Sequence, residues 1–317
     1  MKQPLVLALS NTDDPQLAML AGVPHVLVNS PAALAEAAND AEIILHWAGP
    51  RDLLRSAFLA SPQVRWVHSR SAGLDRVLFP ELVRSAVPLT NGRGVFSQTL
   101  GEFALAAILY FAKDLRRMIR NQEAGRWEQF LVEEIAGQTV GIVGYGDIGR
   151  AVASRAHAMG MKVFALKRHA FASTDTLIAR FFGPHELPDL LGHCDYVVVA
   201  APLTPETRHM IGDAAFAAMK PNAVVINIGR GPIVDQAALV RALGENRIKG
   251  AALDVFEQEP IPPGDPIYKL ENVLISPHCA DQTRDWLDQA MRFFLLQYER
   301  FCNGQPLENI VEKHLGY

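Results

Sequence analysis

Six short apolar runs, four of them rich in β-branched residues, follow one another through the middle of the chain: TVGIVG (139–144), KVFAL (162–166), YVVVAA (196–201), AVVINI (223–228), KGAALDV (249–255) and NVLIS (272–276). The stretches between them carry helix signals, among them DIGRAVASRAHAMG, DAAFAAMK and DQAALVRALGEN. Strands joined by helical crossovers run parallel, are buried on both faces, and leave a ligand crevice beyond their carboxyl ends. An earlier block repeats the theme with LVLAL (5–9), HVLVN (25–29), EIILHW (42–47) and VRWVHS (64–69), separated by the helical segments PQLAMLAG, PAALAEAAND and PRDLLRSAFLAS. The expected fold is therefore α/β in two parts, which 317 residues can supply with a core each.

Between the blocks lies GEFALAAILYFAKDLRRMIRNQEAGRW (101–127), expected as one long helix, and after the second block comes a helical tail, DQTRDWLDQAMRFFLLQYERFCNG. If that tail returns to the first block, the second block is an insertion. The expected division is residues 1–97 plus 282–317 for one domain and 98–281 for the other.

The first apolar run of the second block ends in G-x-G-x-x-G, at Gly144, Gly146 and Gly149. After a strand and before a helix, those glycines allow a tight turn, a close approach of phosphates to the backbone, and close strand–helix packing. The helix N-terminus then offers N–H groups and a positive dipole end to a dinucleotide pyrophosphate. KVFAL ends where an acid would bind the adenosine ribose of NAD, but the chain has Lys167, Arg168 and His169 there. Unit charges about 4 Å apart at an effective dielectric of about 20 attract by roughly 4 kcal/mol before desolvation. A 2′-phosphate is thus favoured, and NADP(H) is expected over NAD(H), which stays possible.

Three loops after strands of the second block, INIGRGPIVD, ALDVFEQEP and LISPHCA, deliver Arg230, Glu259 and His278 to the crevice. An arginine fork can hold a carboxylate and polarise a carbonyl. A histidine can exchange a proton near neutral pH, and a neighbouring glutamate would favour its charged form. The trio suits hydride reduction of a 2-oxo acid. His46 and Trp47, in LHWAGP, are placed to shape specificity, or to form a buried aromatic edge.

Other readings narrow the class. Hydrophobic residues are 49%, charged residues 20% and net charge −4, with no basic run, so no nucleic-acid partner is expected. The ten-residue stripe FALAAILYFA (103–112) is too short to span a bilayer and reads as a helix packed on a second subunit. Cys194, Cys279 and Cys302 show no C-x-x-C spacing, which points to a reducing cytoplasm and no zinc site, with Cys279 a small buried residue.

The ordered set SAGLD (71–75), TNGRGVFSQTLGEFALA (90–106), GQTVGIVGYGDIG, HELPDLLGHCDYVVVAAPLTPETRHMIG, NIGRGPIVDQAAL, ALDVFEQEP, SPHCA and NGQPLENIV resembles the D-isomer-specific 2-hydroxyacid dehydrogenase family. The likeness implies a Rossmann doubly wound sheet inserted into a flavodoxin-like α/β substrate domain, with reaction between the domains and a homodimer. It implies catalysis by Arg230, Glu259 and His278, and carboxylate binding by N–H groups near Ala72 and Gly73, with Arg230 and His278 also on the substrate. Cofactor contacts implied are Gly144, Tyr145, Gly146, Asp147, Ile148, Gly149, Lys167, Arg168, Ala201, Pro202, Ile228, Gly229, Arg230, Asp254 and His278. Lys167 in place of the usual acid resembles the NADP-using glyoxylate/hydroxypyruvate reductases. A small 2-oxo or 2-hydroxy acid, handled D-specifically, is the implied substrate. The alternatives are an NAD-dependent phosphoglycerate dehydrogenase-like enzyme and a non-catalytic dinucleotide sensor on the same fold.

Overall fold

The computed structural model describes residues 3–168 and 175–316, and the chain divides into two compact units, residues 1–96 with 283–317 and residues 97–282. His169 lies outside the described residues.

In the first unit, strands β1 (Val6–Leu9), β2 (His25–Val28), β3 (Ile43–His46), β4 (Trp66–Ser69) and β5 (Leu89–Asn91) form a parallel sheet of order β2-β1-β3-β4-β5. That is the flavodoxin-like order. Helices α1 (Pro31–Ala37), α2 (Arg51–Ala60) and α3 (Pro80–Arg84) belong to it, while PQLAMLAG forms a 3₁₀ helix, Pro15–Gly22. β5 escaped the sequence reading because three residues, LTN, carry no periodicity.

The C-terminal helix, Trp286–Cys302, packs on this same unit. Its Met291, Phe294 and Tyr298 are buried in one cluster with Val6, Ile43 and Trp66. Phe294 stacks on Trp66 with centroids 5.5 Å apart, and Tyr298 Oη–H donates to the Pro4 carbonyl at 3.1 Å. Each such buried aromatic or aliphatic side chain contributes about 1.5–3 kcal/mol. The unit is thus built from both ends of the chain, with the second unit inserted.

The second unit opens with α4 (Ser97–Ala112) and α5 (Leu115–Glu123). The single long helix expected there breaks at Asp114, whose backbone is left-handed (φ 48°) and whose carboxylate accepts the Arg117 amide and so caps α5. Then follow β6 (Thr139–Val143), α6 (Asp147–Ala158), β7 (Lys162–Leu166), β8 (Arg180–Phe182), α7 (Leu187–His193), β9 (Tyr196–Val199), α8 (Asp213–Ala218), β10 (Val224–Asn227), α9 (Gln236–Gly244), β11 (Gly250–Leu253) and β12 (Val273–Ile275). The seven strands are parallel in the order β12-β11-β10-β9-β6-β7-β8, one more than the six expected. β8 is a three-residue edge strand, too short to announce itself.

The apolar stripe of α4 turns one face inward. Leu100, Gly101, Ala104, Ala107 and Ile108 are buried, and a Cβ on Gly101 would lie 3.1 Å from the backbone of Ala151 on α6. Small residues there let two helix backbones approach, so that face serves this unit's own core, while Leu105, Leu109 and Tyr110 of the same stripe stay partly exposed. The fully exposed apolar side chains stand further along, at Trp127 (97% exposed) and Leu131 (99%).

Candidate active site

Strand order reverses between β6 and β9, and the glycine loop leaves β6 at that point. Gly144 has φ +98°, and a Cβ there would meet the Ala201 nitrogen at 2.5 Å. A Cβ on Gly149 would lie 2.4 Å from the Gly144 carbonyl oxygen. Both glycines are therefore demanded by packing. Gly146 differs, because nothing lies within 4 Å of a Cβ there. It is also the N-cap of α6, and no side chain caps that helix. An open cradle at an uncapped helix N-terminus fits a dinucleotide pyrophosphate.

Around the cradle, Asp147 starts α6 with its carboxylate accepting from the Ser97 hydroxyl. Ile148 follows, half-buried. On the neighbouring strand ends, Ile228 N–H donates to Val199 O at 3.1 Å and a Cβ on Gly229 would lie 2.9 Å from Ala201 O. Ala201 is buried and Pro202 exposed, its carbonyl held by the Thr207 hydroxyl at 2.7 Å. Lys167 leaves β7 with its N–H on Phe182 O at 3.0 Å, and Arg168 is exposed. Glu206, in the loop after β9, is held below the usual carboxylate range, first by the Thr204 hydroxyl and also by the charge of Arg168.

Beyond β11 and β12 the titratable groups converge. His278 Nδ1 meets Glu259 Oε2 at 2.8 Å, and Glu259 Oε1 accepts the Phe256 amide at 3.0 Å. The carboxylate is aimed by backbone on one side and orients the ring on the other. His278 itself has φ 52°, a left-handed backbone uncommon outside glycine. The turn is held by Asp254, 2% exposed, whose Oδ1 accepts from the Cys279 amide at 2.9 Å, the Ala280 amide at 3.0 Å and the Ser276 hydroxyl at 2.6 Å. Asp254 thus anchors the histidine loop, a role in addition to the nicotinamide contact expected of it.

Arg230 is half-buried in the loop after β10, its Nη1–H on Gly229 O at 2.8 Å and its carbonyl accepting from Asn227 Nδ2 at 3.1 Å. A Cβ on Gly231 would lie 1.9 Å from the Phe256 carbonyl, so the arginine loop abuts the loop that carries Glu259. Asp281 is pushed above the usual carboxylate range by burial, against the opposing charges of His278 and Arg230. Sequence reasoning passed over Asp281, Ser276 and Ser97: the two serines lie inside quoted motifs without a role of their own, and Asp281 falls just past one.

In the first unit, Ala72 and Gly73 lie in the loop after β4, with the Ala72 carbonyl accepting from Asn91 Nδ2 at 2.8 Å. Trp47 is a buried edge, 2% exposed, its indole N–H on Asp14 at 2.8 Å. His46 is also buried, which holds its ring below the ordinary histidine value. Cys279 is exposed and not buried as expected, because Asp254 draws its backbone inward while the side chain stays at the loop surface. Cys194 is the buried thiol, pushed up to about 12 by that burial.

Comparison with known proteins places this geometry. Residues 105–280 match the model of the D-isomer specific 2-hydroxyacid dehydrogenase NAD-binding domain. The chain is 36% identical over 269 residues to a glyoxylate reductase of Korarchaeum cryptofilum, covering 81% of this chain and 79% of the relative. It superposes on an NADPH-dependent glyoxylate/hydroxypyruvate reductase from Sinorhizobium meliloti, solved with NADP and sulfate, with a TM-score of 0.86, 28% identity and 100% of each chain covered. A D-isomer specific 2-hydroxyacid dehydrogenase from Xanthobacter autotrophicus, solved with NADPH and MES, gives 0.85 at 29% identity, again with 100% of each chain covered. No helix among the described residues is long and apolar enough to cross a membrane.

Proposed function

Because the chain belongs to the D-isomer specific 2-hydroxyacid dehydrogenase family, we propose that it is an NADP(H)-dependent reductase of small 2-oxo acids, with glyoxylate and hydroxypyruvate the leading substrates. The observation that carries the reading is the Glu259–His278 pair, set on strand-end loops of the unit that holds the glycine cradle. The nicotinamide dinucleotide, when bound, supplies or takes up the hydride. His278, oriented through Nδ1, gives its Nε2 proton to the carbonyl oxygen in reduction and takes it back in oxidation. Glu259, against Nδ1, fixes the orientation of the ring and leaves Nε2 facing substrate. Arg230 holds the substrate carboxylate and polarises the carbonyl; carboxylate donation by the Ala72 and Gly73 amides is what the family likeness implies. Asp254 keeps the histidine turn in its left-handed shape.

Lys167 and Arg168 support NADP(H), since no acid stands at the end of β7 to bind a free ribose 2′-hydroxyl. Exposed Trp127 and Leu131 support a homodimer through residues 115–132. Replacing both by Glu should yield monomers in sedimentation, and an unchanged mass would move the interface elsewhere.

Initial rates with glyoxylate, hydroxypyruvate, pyruvate and 3-phosphohydroxypyruvate, each with NADPH and NADH, test the reading. Fast NADPH oxidation by one of the first two supports it. Preference for the phosphorylated acid with NADH would favour the phosphoglycerate dehydrogenase-like alternative. Tight NADPH binding without turnover of any acid would favour a sensor.

A further inference from the structure

Tyr145, Arg150 and Asp175 form a cluster that the catalytic reading leaves unused. Tyr145 Oη–H donates to Asp175 Oδ2 at 2.8 Å, and Arg150 Nε–H donates to the same oxygen at 2.9 Å. Asp175 Oδ1 accepts the Leu177 amide at 3.1 Å. Both carboxylate oxygens are engaged, and the Asp175 side chain is only 16% exposed. This acid is therefore not a substitute for the missing ribose-binding acid at the end of β7.

Its place in the fold is specific. Gly144 N–H donates to Leu166 O at 3.1 Å, which sets the glycine loop against the last residue of β7, just before Lys167. The next residue, Tyr145, meets Phe181 edge-on with centroids 5.4 Å apart, and Phe181 pairs with Ala165 of β7. The cluster thus stands at the carboxyl ends of β6 and β7, where a doubly wound sheet receives the adenosine half of a dinucleotide.

Arg150 uses only Nε on Asp175. Its side chain is 65% exposed, and no bond to its terminal nitrogens occurs among the described residues. Gripping an arginine by Nε leaves the far edge of its planar fork, the edge that suits a phosphate, turned outward. An exposed ion pair of this kind adds little to stability, so folding alone does not account for three groups converging on one carboxylate.

We propose that Arg150 is a third cation for the 2′-phosphate of NADP(H), and that Asp175, with Tyr145, is the positioning residue that aims it. The proposal rests on the NADP(H) reading and adds to it a specificity residue outside the β7 turn. Uncharged ribose hydroxyls would gain little from such a cation, so its effect falls on one cofactor more than the other.

The test is titration calorimetry of the full chain with adenosine 2′,5′-bisphosphate (2′,5′-ADP) and with 5′-AMP, which lacks only the 2′-phosphate, on the parent, R150M, R150K, D175N and R168A. R150M should weaken 2′,5′-ADP about tenfold and 5′-AMP by no more than about twofold, the loss of one charge-assisted phosphate contact. R150K should recover part of the loss, and D175N should reproduce a fraction of it. The NADPH-to-NADH ratio of kcat/KM should fall about tenfold in R150M, in parallel. Equal weakening of both nucleotides in R150M would mean that the cluster only shapes the glycine loop, and would overturn the proposal. Loss of 2′,5′-ADP binding in R168A with none in R150M would overturn it while sparing the NADP(H) reading. A parent that does not distinguish the two nucleotides would overturn both. If D175N fails to fold, the exposed Arg150 variants still decide.

Discussion

Replacing Glu259 by Gln should lower turnover far more than cofactor affinity. The carboxylate accepts from two donors, the Phe256 amide at 3.0 Å and the His278 ring at 2.8 Å. A carboxamide has one acceptor oxygen. If that oxygen keeps the Phe256 amide, the NH₂ group faces Nδ1, and the ring loses the acceptor that orients it. A hydrogen bond to a charged group is worth about 1.5–3 kcal/mol. The His278 and Glu259 side chains are 40% and 24% exposed, so solvent screening places the effect at the lower end, about tenfold in kcat. Rates at saturating substrate, set beside an NADPH titration of the same variant, provide the assay. An unchanged kcat, or a loss of NADPH affinity as large as the loss of kcat, would refute the idea that Glu259 acts by orienting His278.

The first two glycines of the cofactor loop should separate cleanly. Gly144→Ala meets backbone at 2.5 Å in a left-handed conformation and should destabilise the fold by roughly 3 kcal/mol or more, read by urea unfolding. Gly146→Ala meets nothing within 4 Å and should leave stability within about 0.5 kcal/mol while weakening NADPH binding, read by fluorescence titration. Equal effects on both readouts in the two variants would contradict the division of roles. His68 is buried, which depresses its ring to about 3 from 6.5. The unfolded chain therefore binds a proton that the native chain refuses between those values, and stability should fall with acid by about 1.4 kcal/mol per pH unit from this group. His68→Gln should show a shallower decline between pH 6.5 and 4.5 in urea titrations, and an unchanged slope would remove His68 as a cause.

The β-α alternation and the glycine spacing were legible because each depends on neighbours in sequence. β-branched runs define strands whichever strand they pair with, and G-x-G-x-x-G reports one turn. For the same reason β5, β8 and the break at Asp114 were not legible. Three-residue strands have no period, and one left-handed residue does not disturb a helical pattern.

Arg230, Glu259 and His278 could be named from three strand-end loops, since the carboxyl ends of a parallel sheet share one edge. What the residue order alone could not state is how the trio is held. Glu259 is aimed by the Phe256 amide, His278 by a left-handed turn pinned to Asp254, and Arg230 by the bare Cα of Gly231 against Phe256. The Asp175 grip on Tyr145 and Arg150 joins residues 25 and 30 apart in the chain. Such contacts exist only after the strands have been placed side by side. Residue order is enough to say which candidate groups gather at which sheet edge, because that follows from local periodicity and the parallel topology it implies. Which donor meets which acceptor is settled only by the folded chain, because hydrogen bonds depend on ångström distances between segments that lie far apart in the chain order.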